Sequence, residues 1–186
     1  MSCFEELGEG LYYICCSFNP NYCLSIQQNK IEPNIPLIIS NFYDSFYQAF
    51  YFYKNKDLSY LIMNINSLKI IGIENIYKSS TVIQNIISPL ENYKWEIRKT
   101  NNFYKNEYYI ELKSNSNKRI DCLNNFVIIN NKNDNSNTQR FVFRECLYNV
   151  PKSDLWIKWE KYHLRDFIEN HMYIIRSAEN DNFVFC

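Results

Sequence analysis

Gln48-Ala49-Phe50, Tyr93-Lys94-Trp95 and Gln139-Arg140-Phe141 are three copies of one short pattern, in which a glutamine or tyrosine stands two positions before an aromatic residue. The three aromatic residues are separated by 45 and 46 residues, and each belongs to an apolar run typical of a β-strand. A repeat with a nearly constant period indicates that one structural unit occurs three times. The repeat is therefore more informative about the fold than any single residue is about the function.

Each unit also contains, upstream of its motif, two short apolar runs joined by a polar turn. The paired runs are Tyr12-Tyr13-Ile14 with Cys23-Leu24-Ser25-Ile26, Tyr60-Leu61-Ile62 with Ile70-Ile71-Gly72-Ile73, and Tyr109-Ile110-Glu111-Leu112 with Ile120-Asp121-Cys122. Asparagine and serine dominate the turns between them, and both residue types favour turns. Each unit is therefore predicted to contain about four short strands.

Three units of four strands are what a β-trefoil requires, with six strands closing a barrel and six more forming hairpins that cap one end. Closure also removes free sheet edges. A β-propeller uses four-stranded units as well, but three blades fall below its usual number of about four to eight. A solenoid would continue the repeat further. We therefore predict an all-β fold, with a β-trefoil in residues 1–148.

Residues 149–186 are predicted to form a C-terminal extension with a helix and a hairpin. Ser153-Asp154 can cap a helix, and apolar residues follow at helical spacing, namely Leu155, Trp156, Trp159, Tyr162 and Phe167. Tyr173-Ile174-Ile175 and Phe183-Val184-Phe185 then resemble the opening hairpin of a further repeat. Because an unclosed hairpin has free strand edges, we expect the extension to pack on the first domain or to form a homodimer contact.

Charge and hydropathy limit the classes of partner. The formal net charge is zero, because 20 basic residues balance 20 acidic ones. Nucleic-acid binding normally needs clustered positive charge, so no nucleic-acid partner is expected. The N-terminal residues, Met1-Ser2-Cys3-Phe4-Glu5-Glu6, do not resemble a secretory signal, and no run approaches the roughly 20 apolar residues of a membrane helix. As written, the sequence predicts a cytoplasmic protein without membrane insertion, and secretion stays open if a signal was removed.

The seven cysteines are predicted to be reduced thiols, because their number is odd and no secretory signal precedes them. Cys15 and Cys16 are adjacent, so on a strand their side chains point to opposite faces. Cys23 and Cys122 are expected to be buried as small apolar residues. No Cys-x-x-Cys pair or zinc-type spacing is present, which predicts no metal site.

Residues that could support catalysis are sparse. His163 and His171 are eight residues apart, which does not fit the pair of a helical zinc site. The three glycines form no phosphate-binding loop. Acidic residues are numerous, yet no carboxylate pair occurs at the same place in all three units. The sequence therefore predicts a non-catalytic protein that needs no cofactor.

The three motifs resemble the Q-x-W repeats of the ricin B-type lectins, and Cys23-Leu24-Ser25-Ile26 resembles the C-L-D-V strand of that family. The likeness covers residues from about 10 to 146. Trp95 keeps the tryptophan of the family, whereas Tyr93 replaces a glutamine. The resemblance implies a carbohydrate-binding module in which the motif residues are structural and the aromatic ones lie in the core. These structural residues are Gln48, Phe50, Trp95, Gln139 and Phe141.

The resemblance also implies where a sugar would bind in each unit. An acidic residue after the second strand grips hydroxyls through charge-assisted hydrogen bonds, an aromatic platform on the third strand packs on the apolar face of the sugar, and an asparagine lies beside the motif. The acidic positions fall near Gln28, Asn75 and Asn124, and the asparagine survives as Asn92. The platform positions hold aliphatic residues: Ile38, Ile83 and Ile129. We therefore expect degenerate sugar sites with Gln28, Asn75, Asn92 and Asn124 as candidate residues.

Loop aromatic residues offer a different route to a binding surface. Phe42 and Tyr43 beside Asp44, or Phe103 and Tyr104, could form a new pocket, or they could simply close the ends of the barrel. Tyrosine is also favoured at protein interfaces. The expected partner is therefore a glycan or glycoprotein, and the alternative is a protein–protein interaction module that has lost sugar binding.

Overall fold

Runs rich in isoleucine, tyrosine and phenylalanine form strands through most of the chain, because branched and aromatic side chains suit a pleated surface. The computed structural model describes residues 7–74, 80–85, 90–102 and 104–148, together with the strands at 174–176 and 183–185. Twelve strands form the main sheet. Their bounds are β1 (Gly10–Cys16), β2 (Asn19–Ile26), β3 (Ile35–Asn41), β4 (Ala49–Lys54), β5 (Tyr60–Asn64), β6 (Ile70–Ile73), β7 (Val82–Asn85), β8 (Trp95–Lys99), β9 (Tyr108–Leu112), β10 (Asn115–Leu123), β11 (Phe126–Asn131) and β12 (Phe141–Glu145). The all-β class is confirmed.

Six of these strands close into a ring. β1 pairs with β4, β4 with β5, β5 with β8, β8 with β9 and β9 with β12, and β12 returns to β1. All six pairings are antiparallel, and the strands are the first and fourth of each predicted unit. The ring therefore leaves none of the six with a free edge.

The other six strands form three antiparallel hairpins, β2–β3, β6–β7 and β10–β11. β3 pairs with both β7 and β11, and a bridge joins Thr81 to Ile128. The third strands of the three units therefore meet one another. Two short 3-10 turns accompany the strands, Gln27–Asn29 after β2 and Leu90–Tyr93 before β8.

The three motif aromatic residues lie at the centre of the barrel. Phe50, Trp95 and Phe141 are fully buried in one core cluster. The Trp95 indole Nε1 donates a hydrogen bond to the backbone oxygen of Ile71 at 3.0 Å. The structure thus places these three side chains in the core, where the resemblance put them.

The cysteines are arranged partly as expected. Cys16 lies in the barrel core and Cys15 in a second cluster on the outer face, as the alternation of a strand requires. Cys122 is buried with its Sγ 3.7 Å from that of Cys16. Cys15 and Cys23 are opposite each other on β1 and β2 and are joined by a disulfide. The expectation of reduced thiols is therefore wrong for this pair, because the strand register brings the two sulfur atoms together.

The C-terminal extension is described only at two short strands. β13 (Ile174–Arg176) and β14 (Phe183–Phe185) pair antiparallel as a separate sheet, in agreement with the predicted hairpin. The predicted helix lies outside the described residues, and the boundary at residues 148/149 and the homodimer contact stay predictions. In the part of the chain that the structure describes, no helix is long and apolar enough to cross a membrane.

Candidate functional site

The strand pairings show which positions of the three units are equivalent. In each of the three hairpins, one residue on the second strand of the unit is paired with one residue on its third strand. The residues that flank each pair belong to the barrel core or pack against it, except Gln84 beside Ile83, which is buried but polar. Because side chains alternate along a strand, these paired residues face away from that core. The pairs are Ser25 with Ile38, Gly72 with Ile83, and Asp121 with Ile128.

One platform position assigned from the sequence is corrected by this register. Ile129 is fully buried in the barrel core, so it cannot face a ligand. Ile128, one residue earlier, takes the outward position in the third unit. A shift of one residue moves a side chain to the opposite face of a strand.

The first unit has an open groove at the equivalent position, with a volume of about 290 Å³. It is lined by Ser25, Ile26, Gln28, Asn29, Ile38, Ser40, Tyr43, Ser45, Tyr47 and Gln48. None of these side chains carries a charge at neutral pH. The groove therefore offers hydroxyl and amide groups beside a more extensive apolar surface, which suits a neutral polar ligand that also has an apolar face.

Gln48 holds one wall of this groove in place. Its side chain is buried, and its Oε1 accepts a hydrogen bond from the backbone N–H of Tyr43 at 2.8 Å. Its Nε2 donates to the Ser40 hydroxyl at 2.9 Å and to the Asn41 backbone oxygen at 2.6 Å. Gln48 thus fixes the loop that follows β3 and acts as a structural residue of the groove.

Three further contacts anchor the same loop. The hydroxyl of Tyr13 donates to the Asp44 carboxylate, and the hydroxyl of Tyr148 donates to the Asp44 backbone oxygen at 2.6 Å. The Phe46 and Tyr148 rings lie 4.4 Å apart. Burial, followed by the hydrogen bond to Asp44, raises the pKa of Tyr13 above its ordinary value, so the phenol stays protonated as a donor. Tyr43 of the predicted cluster lines the groove, whereas Phe42 packs against the second apolar cluster and Asp44 anchors the loop.

Two tyrosines from this loop supply the aromatic surface of the groove. Tyr43 is 69% exposed and Tyr47 is half-buried, and both line the groove. The third-strand position that would hold a ring by the resemblance is Ile38, which is aliphatic. Because tyrosine combines a ring face with a hydroxyl, either residue can pack on a sugar and hydrogen-bond to it.

Gln28 is the sequence-predicted candidate that the groove contains. Gln28 and Asn29 have φ angles of 54° and 57°, in the left-handed region that non-glycine residues seldom adopt. Both side chains are exposed and line the groove. Each amide can donate to and accept from a ligand hydroxyl. Two adjacent amides from this turn therefore line the groove.

In the second unit, the ring of Tyr93 packs against Gly72. At Gly72, the position equivalent to Ser25, an added Cβ would lie 2.1 Å from the Tyr93 Cδ1 atom. The Tyr93 ring is buried and therefore occupies the space that a side chain at position 72 would need. Asn92 is half-buried in the turn Leu90–Tyr93, and Asn75 lies outside the described residues. Among the described residues, Tyr93 thus fills the space beside Gly72.

The third unit contains an acid at the outward position, which the sequence reasoning missed. Gln139 Nε2 and Asn130 Nδ2 both donate to Asp121 Oδ2 at 3.1 Å. Asp121 Oδ1 is buried and has no hydrogen-bond partner within the described residues. Asn124 belongs instead to the hairpin turn, where it and Asn125 have φ angles of 49° and 67°. Asp121 is equivalent to Ser25 only through the strand pairing, so the sequence alone did not indicate it.

A buried ion cluster braces the outer side of the third unit. The Arg119 guanidinium is 2% exposed, and its Nε donates to Glu111 at 2.8 Å. Its NH1 donates to Asp134 at 2.7 Å, and its Cζ atom lies 3.6 Å from the centre of the Tyr109 ring. The Arg119 hydrogen bond holds the pKa of Asp134 below its usual value. These contacts pair the Arg119 guanidinium with groups of the protein itself, so we interpret the cluster as structural.

Comparison by sequence finds no family model and no curated protein that matches. Comparison by structure finds a designed three-fold symmetric protein, ThreeFoil, with a TM-score of 0.65 and 17% identity over 74% of this chain and 99% of that one. A ricin B-like lectin of Macrolepiota procera in complex with lactose matches with a TM-score of 0.62 and 13% identity, over 75% and 99%. A Polyporus squamosus lectin matches with a TM-score of 0.62 and 20% identity, over 76% of this chain and 50% of that one.

These similarities show that the chain has the fold of ricin B-like lectins and of a designed three-fold symmetric protein. The matches also include a galactanase, over 30% of its length, and a mosquitocidal holotoxin, over 18%. The same fold therefore occurs in larger proteins with other activities, and function must be argued from the site. The absence of catalysis stays a prediction.

Proposed function

We propose that this chain is a β-trefoil of the ricin B-like type and a non-catalytic module that binds a neutral carbohydrate in the groove of its first unit. The observation that carries the proposal is the groove itself, which combines two exposed amides, three serines and two tyrosines around Ile38. Sugar hydroxyls match the amides and serine hydroxyls, and the apolar face of a sugar ring matches tyrosine. The lectins of similar fold support the same class of ligand.

The neutral lining predicts modest affinity for one sugar residue. A hydrogen bond between neutral groups contributes about 0.5–1.5 kcal/mol, and bonds to charged groups contribute about 1.5–3 kcal/mol. The groove lacks the carboxylate that the family resemblance implies, since the acidic position falls near Gln28, which is an amide. We therefore expect a degenerate site that selects uncharged glycans and binds a single sugar weakly.

A glycan-array screen of the purified full chain, followed by titration of each hit, tests the proposal. Gln28→Ala and Tyr47→Ala should each weaken binding by about twofold to tenfold, the equivalent of one neutral contact. Asn92→Ala is the matched control, because that amide belongs to the second unit and should leave the affinity unchanged. Absence of binding across the array, or sensitivity to Asn92→Ala alone, would contradict a site in the first-unit groove.

A protein–protein interaction module is the second candidate. It is favoured by the second unit, where Tyr93 fills the space over Gly72, and by the buried carboxylate of Asp121 in the third. Several large apolar side chains are also exposed, including Tyr104 and Leu147. If the array shows no binding, affinity capture with the full chain and a Tyr104→Ala variant tests this candidate.

A further inference from the structure

An apolar row continues from half-buried Ile38 in the groove to two exposed residues of the third unit. Ile38 on β3 lines the groove and is paired with Phe126 on β11. Phe126 is paired in turn with Leu123 across the β10–β11 hairpin. Directly opposed residues of antiparallel strands project to the same face, so Ile38, Phe126 and Leu123 form one row.

The hairpin turn presents this row to solvent. Asn124 and Asn125 both have positive φ angles, which is the geometry of the tight two-residue turn that joins two strands. The backbone N–H of Ile39 donates to the Asn125 oxygen at 3.0 Å and fastens the turn to β3. Phe126 is 47% exposed and Leu123 is 51% exposed. The aromatic ring is therefore held beside the groove by backbone contacts and stays open to a ligand.

Resting on the proposed function, we propose that the site takes an oligosaccharide whose first residue lies in the groove and whose second residue packs on the ring of Phe126. Neighbouring strands are about 4.8 Å apart, so Phe126 lies one strand beyond Ile38, at the rim of the groove. Phe126 lacks a polar group, so it contributes a ring face and no hydrogen bond. The second residue is held by stacking, and the first by the amides and hydroxyls.

This arrangement uses two units of the repeat for one ligand. Ser25 and Ile38 come from the first unit and Phe126 from the third. A ring supplied by the neighbouring unit replaces the one absent from position 38. An uncharged groove that binds one sugar weakly thus gains affinity and selectivity for a longer chain.

Paired titrations of the full-length protein test this inference. The probes are lactose and the neutral di- and trisaccharides of the array, each compared with its component monosaccharides. Phe126→Ala should weaken oligosaccharide binding by about threefold to tenfold, the size of one aromatic contact. Its affinity for the monosaccharide that occupies the groove should stay within about twofold of the parent value.

Two variants serve as controls. Phe18→Ala removes another phenylalanine of similar exposure, 45%, from the β1–β2 turn, and should change neither affinity. Phe126→Leu keeps an apolar side chain without the ring and should behave like Phe126→Ala if stacking is the cause. Thermal unfolding of each variant shows whether the fold is intact, and Phe126→Leu remains informative if Phe126→Ala does not fold.

The outcomes separate this inference from the proposed function. Loss of oligosaccharide preference in both Phe126 variants, with Phe18→Ala unchanged, supports a second subsite. Equal effects on mono- and oligosaccharides, or no effect on either, overturn the subsite and leave carbohydrate binding standing. If the parent protein binds no saccharide, the proposed function fails and the subsite fails with it.

Discussion

Replacing Gly72 by alanine tests directly whether Tyr93 fills the second-unit site. Gly72 does not have a positive φ angle, so its backbone accepts an alanine. At such a position in open space, Gly→Ala normally stabilises a protein by about 0.4–1 kcal/mol. Here the new methyl group would lie 2.1, 2.4 and 2.6 Å from three Tyr93 ring atoms. We therefore expect the substitution to destabilise the fold.

The size of the effect follows from the buried ring. Tyr93 is 1% exposed, so the ring has little freedom to move away. Overpacking of a well-filled interior costs about 1–3 kcal/mol. Because the new methyl group would lie far inside van der Waals contact with a ring that cannot move away, we expect Gly72→Ala to cost an amount near the upper end of this range. Gly8→Ala is the matched control, because its added methyl would meet one atom, the Tyr12 hydroxyl, at an ordinary 3.5 Å.

Urea unfolding of four proteins measures the contact as a double-mutant cycle: the parent, Gly72→Ala, Tyr93→Ala and the double variant. Tyr93→Ala alone should cost about 3–5 kcal/mol by leaving a cavity. Once the ring is gone, Gly72→Ala should cost nothing further, which gives a favourable coupling of about 1–3 kcal/mol. Stability of Gly72→Ala equal to or above that of the parent would refute the filled site.

Two further predictions concern stability. Arg119 lowers the pKa of Asp134 in the folded protein. The ionised carboxylate therefore stabilises the fold above its unfolded pKa of about 3.9, and this stability is lost as the pH falls through the folded pKa. Because the carboxylate is exposed, the contribution is limited to about 1 kcal/mol. Asp134→Asn should therefore lower the unfolding midpoint at pH 7 and have no effect near pH 2, and an equal effect at both pH values would contradict the assignment. Reduction of the Cys15–Cys23 disulfide, which spans 8 residues, should cost about 2.5 kcal/mol by loop entropy; identical urea midpoints with and without a thiol reductant would argue against it.

The repeat predicts the fold well because strand periodicity and turn chemistry are local. The runs around each motif became the strands expected, and Phe50, Trp95 and Phe141 share one core. The register across strands is not local. Counting back from the motif places Ile38 and Ile83 correctly, but the third unit has one more residue between its outward position and its aromatic residue. The same count in the third unit therefore indicates Ile129 in place of Ile128, and Ile129 lies on the core face of the strand.

The site was less predictable than the fold for the same reason. The sequence indicates Gln28 as a candidate, and the groove contains it. The rings that line the groove come from the loop after β3, whose path depends on the Gln48 hydrogen bonds. Asp121 was missed, because its equivalence to Ser25 depends on pairing. The Cys15–Cys23 disulfide was missed because only the register shows that the two residues are opposite each other.

The motif glutamines explain how a unit can change its site and keep its fold. Gln48 accepts from the Tyr43 N–H and donates to the Asn41 oxygen, and Gln139 accepts from the Asn133 N–H and donates to the Asn131 oxygen. Both therefore hold the loop after the third strand through backbone groups, whatever side chains that loop carries.

The outward residue on the second strand is free to vary around this constant bracing. With Ser25 in that position, the groove is open. With Asp121, the third-unit glutamine and Asn130 take up one carboxylate oxygen, so the acid is bound by the protein itself. In the second unit a tyrosine replaces the glutamine, and its ring fits only because Gly72 has no side chain. Positions 72 and 93 are therefore coupled by volume, and reopening the second unit requires a smaller residue at 93 before any ligand-binding side chain can be placed at 72.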